Sequence, residues 1–426
     1  MNQVMVTTSE RAVIDSFLAT HRHELIAFRR RLHAHPELSS KEFGTTEAIV
    51  DRLLVAGLNP AILPSGTGAT CDVGSQVPSE ATTGNSAEPM IALRADLDAL
   101  AMDDLSTSTY VSTVAGVAHA CGHDVHTTVV LGAGLLLARL LSRREAPAGR
   151  VRLIFEPSEE TVPGGAVEVA ALGLLTGVGA IIALHCDPKL DTGRLGVRSG
   201  PITSAVDVVE IDIFGPGGHT ARPERTVDLV DVVGRIVLNV PDLLAGADPA
   251  HPPRLVFGSV HAGDAPNVIP AHARLIGTLR SRDRQSWLAA PGLLESALQR
   301  VIAPTGATWS MTHKPGVPPV VNDSFTTSVL AEAADAMLGE GAVLETGHSW
   351  GGDTFAWYTE KAPGCYARLG THDPANVGPR LDLHSSAFDV DERAIEVGIR
   401  VLVAASLSFL RRSSEPAGAD TASSGG

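Results

Sequence analysis

The densest concentration of metal-binding residue types is His119-Ala-Cys-Gly-His-Asp-Val-His126, where three histidines, a cysteine and an aspartate fall within eight residues. Cysteine and histidine are borderline-soft ligands that suit zinc, manganese, nickel or cobalt. Ligands two residues apart on a loop, such as Cys121 and His123, can converge on one metal pair. The alternative is a polar loop that caps the following helix, with Asp124 as the N-cap.

A second candidate is Glu156-Pro-Ser-Glu-Glu160, which follows an apolar run. Adjacent carboxylates repel, so a buried pair needs a cation nearby. One such carboxylate can hold an ion while the other takes a proton from water. An acidic surface loop is the alternative. His185 ends an apolar run and His384 precedes the last helical pattern; either can be a core histidine or a ligand. His219 lies in Gly215-Pro-Gly-Gly-His-Thr, a glycine-rich turn whose backbone N–H groups could cradle an anion.

These residues need elements to bring them together. Ile91–Ala95, Val151–Phe155 and Ala180–Leu184 are short apolar runs of strand length, and Thr127–Leu141 and Gly165–Leu175 have helical spacing. Strand–helix alternation of this kind predicts an α/β sheet with helices on its faces. Such sheets work just beyond the carboxyl ends of their strands. Asp96 and Asp98, Glu159 and Glu160, and His185 all fall there. From about Asp191 the pattern becomes β-α-β-β-α-β, the ferredoxin-like order. The expected architecture is a catalytic α/β domain with a mixed sheet flanked by helices (1–192 and 314–412), interrupted by an inserted unit (193–313). Ser75–Pro89 reads as a surface loop and 413–426 as a disordered tail.

Composition narrows the function classes. The chain has 426 residues and a formal charge of -15, which argues against nucleic acid or anionic membrane as partners. Its four cysteines are widely spaced, which is no disulfide framework and fits a reducing, cytoplasmic location. The apolar stretch Val129–Leu141 is too short to span a bilayer.

Taken in order, Arg31-Leu-His-Ala-His-Pro-Glu-Leu38, Arg94-Ala-Asp-Leu-Asp-Ala-Leu100, His119-Ala-Cys-Gly-His-Asp124, Pro157-Ser-Glu-Glu160, Ala183-Leu-His185, Gly217-Gly-His219, Asn267-Val-Ile-Pro270, Gly277-Thr-Leu-Arg280 and Leu383-His-Ser385 resemble the M20 metallopeptidase superfamily. The likeness is to its amidohydrolase branch, which acts on N-acyl amino acids, hippurate and auxin conjugates, and it runs from about Leu25 to Val403. The resemblance implies two divalent metal ions (Zn, Mn, Ni or Co) held by Cys121, His123, Glu160, His185 and His384, with Cys121 between them. It implies Glu159 as general base, Asp98 as an orienting residue, Asn267 and Arg280 as a carboxylate clamp, and His219 as an oxyanion stabiliser. The inserted unit would be a lid and dimerisation domain, with His219 supplied across a homodimer. Gly351-Gly-Asp-Thr-Phe355 departs from the family's acidic pair before the phenylalanine. The implied reaction is hydrolysis of a small N-acyl amino acid. The alternatives are a dipeptidase or carboxypeptidase of the same superfamily, or a non-catalytic binding protein on this fold.

Overall fold

A computed structural model of the chain describes residues 6–74 and 88–414. Most of the loop expected at Ser75–Pro89, and nearly all of the tail expected from Ser413, lie outside those residues. The chain forms two compact units. The first comprises 1–199, 322–346 and 358–426, and the second comprises 200–321 and 347–357. The second unit begins and ends later than 193–313, and its last strand continues to Val317.

The first unit is built on an eight-stranded mixed sheet. Four neighbouring strands at its centre are parallel: Arg150–Glu156, Met90–Asp96, Ala180–Asp191 and Gly364–His372. Met90–Asp96 is buried at every position, as expected of a parallel strand covered on both faces. His123–Leu141 packs against Thr8–Ala34 and Arg393–Ser414. By length and composition that helix could cross a membrane, but 78% of its most apolar window is buried, so it is a core helix. All four cysteines are buried and free.

The second unit carries a four-stranded antiparallel sheet in the order Arg254–Ala262, His272–Ser281, Ala205–Phe214, Thr308–Val317. Along Ala205–Phe214 buried and part-exposed positions alternate, so one face takes the helices. Val209, Ile211, Ile213, Leu275 and Leu279 pack there with Val232, Ile236, Leu294 and Leu298. Two separate strands, Val268–Ile269 and His272–Ser281, follow one another here. Val268–Ile269 pairs with Gly218–His219, and the ladder with Ala205–Phe214 begins only at His272. Pro270, which has no N–H to give a ladder, stands at the break.

Candidate metal centre

Three adjacent strands in the first unit deliver the site, two at their ends and one at mid-strand, since the run expected to stop at Leu184 continues to Asp191. Met90–Asp96 leads into Asp98, Arg150–Glu156 leads into Glu159 and Glu160, and Ala180–Asp191 carries His185. The Cys121 segment closes over them. Gly122 opens the helix that begins at His123, and its φ of 87° suits glycine. A Cβ there would sit 2.7 Å from Cys186 Sγ, so the close approach also requires glycine. His384 reaches the same place because its backbone N–H donates to Ala120 O at 2.8 Å. Its φ of 62° and that of Ser158, 59°, are left-handed, so the backbone is strained on two loops of the site.

The side chains then converge. Within Cys121–His123–His185, Cys121–Glu160–His384 and His123–Glu159–Glu160, candidate ligand atoms lie within 4.8 Å of one another. Cys121 Sγ is 3.5 Å from His185 Nε2. Glu160 Oε1 is 3.4 Å from His384 Nε2 and 3.8 Å from His123 Nε2. Two ligand atoms each about 2.1 Å from one ion at a tetrahedral angle stand about 3.4 Å apart. These separations therefore match a shared cation.

The surrounding hydrogen bonds separate candidate ligands from supports. His185 Nδ1 donates to Cys186 O at 2.8 Å, which turns the Nε2 lone pair toward Cys121. His126 is committed on both sides. Its Nε2 accepts the Cys186 N–H at 2.8 Å, so its Nδ1–H donates to Asp96 at 2.6 Å. Neither nitrogen of buried His123 has a hydrogen-bond partner among the described residues. Burial alone would lower the His123 pKa, but Asp96, Cys121 and Asp98 outweigh it and hold it well above the usual range. Burial pushes the Cys121 thiol up, so a thiolate there needs a cation. An anion-rich pocket with unpartnered imidazole nitrogens fits divalent metal ions.

Asp98 braces the carboxylate turn. It accepts the Glu159 N–H at 3.0 Å, the Glu160 N–H at 2.9 Å and the Ser39 hydroxyl at 2.6 Å. Its Oδ1 is also 3.4 Å from His123 Nδ1. Burial would raise the Asp98 pKa; the His123 contact, then Ser39, hold it below its ordinary value.

The remaining expected residues lie in the second unit. His219 is exposed, and its Nδ1 accepts the Ala221 N–H at 3.0 Å, which leaves Nε2–H as a free-standing donor. Asn267 is its neighbour, since Thr220 N–H donates to Asn267 O. Arg280 is not. The His219–Asn267 pair is hooked to the His272 end of the long strand, and Arg280 lies eight residues further along. At about 3.3 Å per residue, that is roughly 26 Å. The expected clamp of Asn267 and Arg280 on one carboxylate therefore does not form within one copy. In the departing segment, Asp353 Oδ1 accepts the Phe355 N–H at 2.8 Å.

Comparison with known proteins agrees with this geometry. The profile described as "Peptidase family M20/M25/M40" matches residues 92–408. The chain belongs to this family. It is a hydrolase of carbon–nitrogen bonds. N-acetylcysteine deacetylase of Bacillus subtilis (strain 168) is 35% identical over 375 residues, covering 88% of this chain and 93% of the relative. A protein named putative glutamate–cysteine ligase 2-3, from Rhodococcus jostii (strain RHA1), is 44% identical over 382 residues, or 89% of this chain, yet the chain spans only 46% of that relative's length. Among solved structures, the YXEP protein of Bacillus subtilis is described as a dinuclear metal binding peptidase from the M20 family. It is 32% identical with a TM-score of 0.77, covering 91% of this chain and 98% of that one.

Two features of this M20-family chain escape motif reading. Asp124 does not cap its helix. It lies in the first turn, buried against Arg29 Nε at 2.6 Å and His33 Nδ1 at 2.9 Å. Glu42, whose side chain is buried, accepts the Ser40 N–H at 3.0 Å and the Ser158 N–H at 2.8 Å. With Asp98, it means that the three successive amides of 158–160 each end on a buried carboxylate. An orphaned buried N–H costs about 1–3 kcal/mol. Glu42→Ala is expected to lower unfolding free energy by roughly 2–4 kcal/mol in denaturant melts. Glu42→Gln, which keeps an acceptor oxygen, should lose less. Equal stability of the alanine variant and wild type would remove Glu42 from this role.

Proposed function

We propose that the protein hydrolyses the amide bond of N-acyl-L-amino acids, or of similar small amide conjugates, at a site that holds two divalent metal ions. The convergence of Cys121, His123, Glu160, His185 and His384 beside Glu159 carries this reading. Those five ligands would hold the ions, which when bound polarise the scissile carbonyl and acidify water. Glu159 takes the proton from the attacking water and passes it to the leaving nitrogen. Asp98 acts through its neighbours, by holding the amides of Glu159 and Glu160 and by lying against His123. His219 donates its Nε2–H to the carbonyl oxygen as that oxygen gains charge. Arg280 binds the substrate carboxylate through its planar fork. Because His219 and Asn267 sit far along the strand from Arg280, the reading includes a homodimer in which a second copy supplies His219 and Asn267. The second unit is then both lid and dimerisation domain, and the enzyme is cytoplasmic.

The deciding experiment is a screen of N-acyl amino acids against dipeptides, each repeated with Zn, Mn, Co and Ni. Turnover of dipeptides alone would replace this reading with the peptidase one, which the description of the YXEP structure favours. The metal assignment is checked separately. Cys121→Ser should lower metal content, because a neutral hydroxyl is a much poorer ligand than thiolate. Cys121→Asp should be milder, since an oxygen anion can still bind. Equal metal content in wild type and Cys121→Ser would take Cys121 out of the site.

A further inference from the structure

Within the second unit, three arginines gather on one tryptophan. The Arg254 guanidinium carbon lies 4.1 Å from the centre of the Trp350 ring, and that of Arg282 lies 5.8 Å from it. Arg280 Nη1 donates to Trp350 O at 2.5 Å. Arg254 and Arg280 are direct register partners on adjacent antiparallel strands, so their side chains leave the same face. Among the described residues, none of the three makes an ion pair with a carboxylate. In a chain with a formal charge of -15, an uncompensated triad is unusual.

The arrangement is electrostatically incomplete. Part-burial and the charge of Arg254 both lower the pKa of Arg280, so the protein itself does not balance these cations. Like charges held together by a fold are relieved by a bound anion. One carboxylate is satisfied by one planar guanidinium fork through two parallel hydrogen bonds. Arg280 alone would serve that role in the function proposed above. Arg254 and Arg282 then remain as a second anion-binding position. Both guanidinium carbons lie within 6 Å of one ring centre, so both border the same ring.

We infer that Arg254, Arg282 and Trp350 form a second anion subsite beside Arg280, which selects substrates with a second acid group: N-acyl amino acids with a carboxylate side chain. The inference rests on the reading that Arg280 takes the α-carboxylate. Trp350 holds the Arg254 guanidinium over its ring, and the ring also offers an apolar wall to the methylenes that link two acid groups.

The test uses matched pairs that differ only in charge: N-acetyl-L-glutamate with N-acetyl-L-glutamine, and N-acetyl-L-aspartate with N-acetyl-L-asparagine. Metal-loaded wild type should show a kcat/KM about tenfold or more higher on the acid of each pair. A charged hydrogen bond contributes on the order of ten- to a hundredfold. Arg254→Gln, a change at an exposed position, should lose that factor on the acids and stay within about twofold on the amides. Arg280→Ala should weaken all four substrates. Where wild type turns these substrates over, no preference for the acids, or equal losses on both members of a pair in Arg254→Gln, overturns the inference. Calorimetry of N-acetyl-L-glutamate on Glu159→Gln and on Glu159→Gln/Arg254→Gln separates it from the catalytic reading. Tight binding that is lost with Arg254, in a protein that hydrolyses none of the four, keeps the subsite and rejects the proposed reaction. Undetectable binding to Glu159→Gln rejects the subsite.

Discussion

Glu159→Gln is expected to lower turnover by about two to four orders of magnitude, with metal content unchanged. The substitution keeps the size and hydrogen-bonding reach of the side chain and removes its ability to accept a proton. The backbone that aims it does not depend on the carboxylate, because the Glu159 N–H is held by Asp98 and the Ser158 N–H by Glu42. The glutamine should therefore occupy the place of the glutamate. Glu160, the neighbour proposed as a ligand, keeps its own N–H bond to Asp98. The measurement is kcat on the best N-acyl amino acid from the screen, alongside metal stoichiometry by elemental analysis. Near-normal turnover in a fully metallated variant would mean that another group moves the proton. A fall in turnover that follows a fall in metal content would instead place Glu159 among the ligands.

Much of this site was legible because its parts follow the strand ends of a parallel sheet. Asp98, Glu159, Glu160 and His185 each lie on or just beyond an apolar run, and the α/β pattern alone points those positions to one edge. Cys121 and His123 stood out through residue type and spacing. Glu42 and Arg29 could not be found this way. Each acts on a partner about a hundred positions distant, Ser158 and Asp124, and neither has a motif around it. Asp124 resembled a cap because aspartate before an apolar run is a strong N-terminal signal. Gly122, with its positive φ, takes that position instead. The separation of Asn267 from Arg280 was accessible to arithmetic. The eight residues from His272 to Arg280 in extended chain alone cover roughly 26 Å, too far for both to grip one carboxylate. The tautomers of His126 and His219 depend on backbone amides that only the folded chain supplies.

Arg29→Met is expected to be the most destabilising single change outside the candidate metal centre. Arg29 is fully buried and reaches three carboxylates: Asp124 at 2.6 Å, Asp389 at 3.1 Å and Glu392 at 3.4 Å. Asp124 is equally buried. Breaking a buried pair by removing one partner costs about 3–5 kcal/mol, because the other charge stays behind unpaired. His33 would be the main remaining contact of Asp124, and it would offset part of that cost. The pH dependence gives a second reading of the same pair. Burial would raise the Asp124 pKa, but the charge of Arg29, followed by the His33 hydrogen bond, holds it well below the usual carboxylate range. A carboxylate depressed in the folded state adds stability above its unfolded pKa, about 3.9, and that stability is lost as pH falls below it. Wild type and Arg29→Met should therefore differ most above about pH 5, and the gap should narrow through the carboxylate range. Urea unfolding at several pH values measures this directly. The double variant Arg29→Met/Asp124→Asn should recover part of the loss, since it removes the stranded charge. A gap that is small at pH 7, or that stays constant down to pH 3, would show that the Arg29–Asp124 pair does not hold the helix that begins at His123.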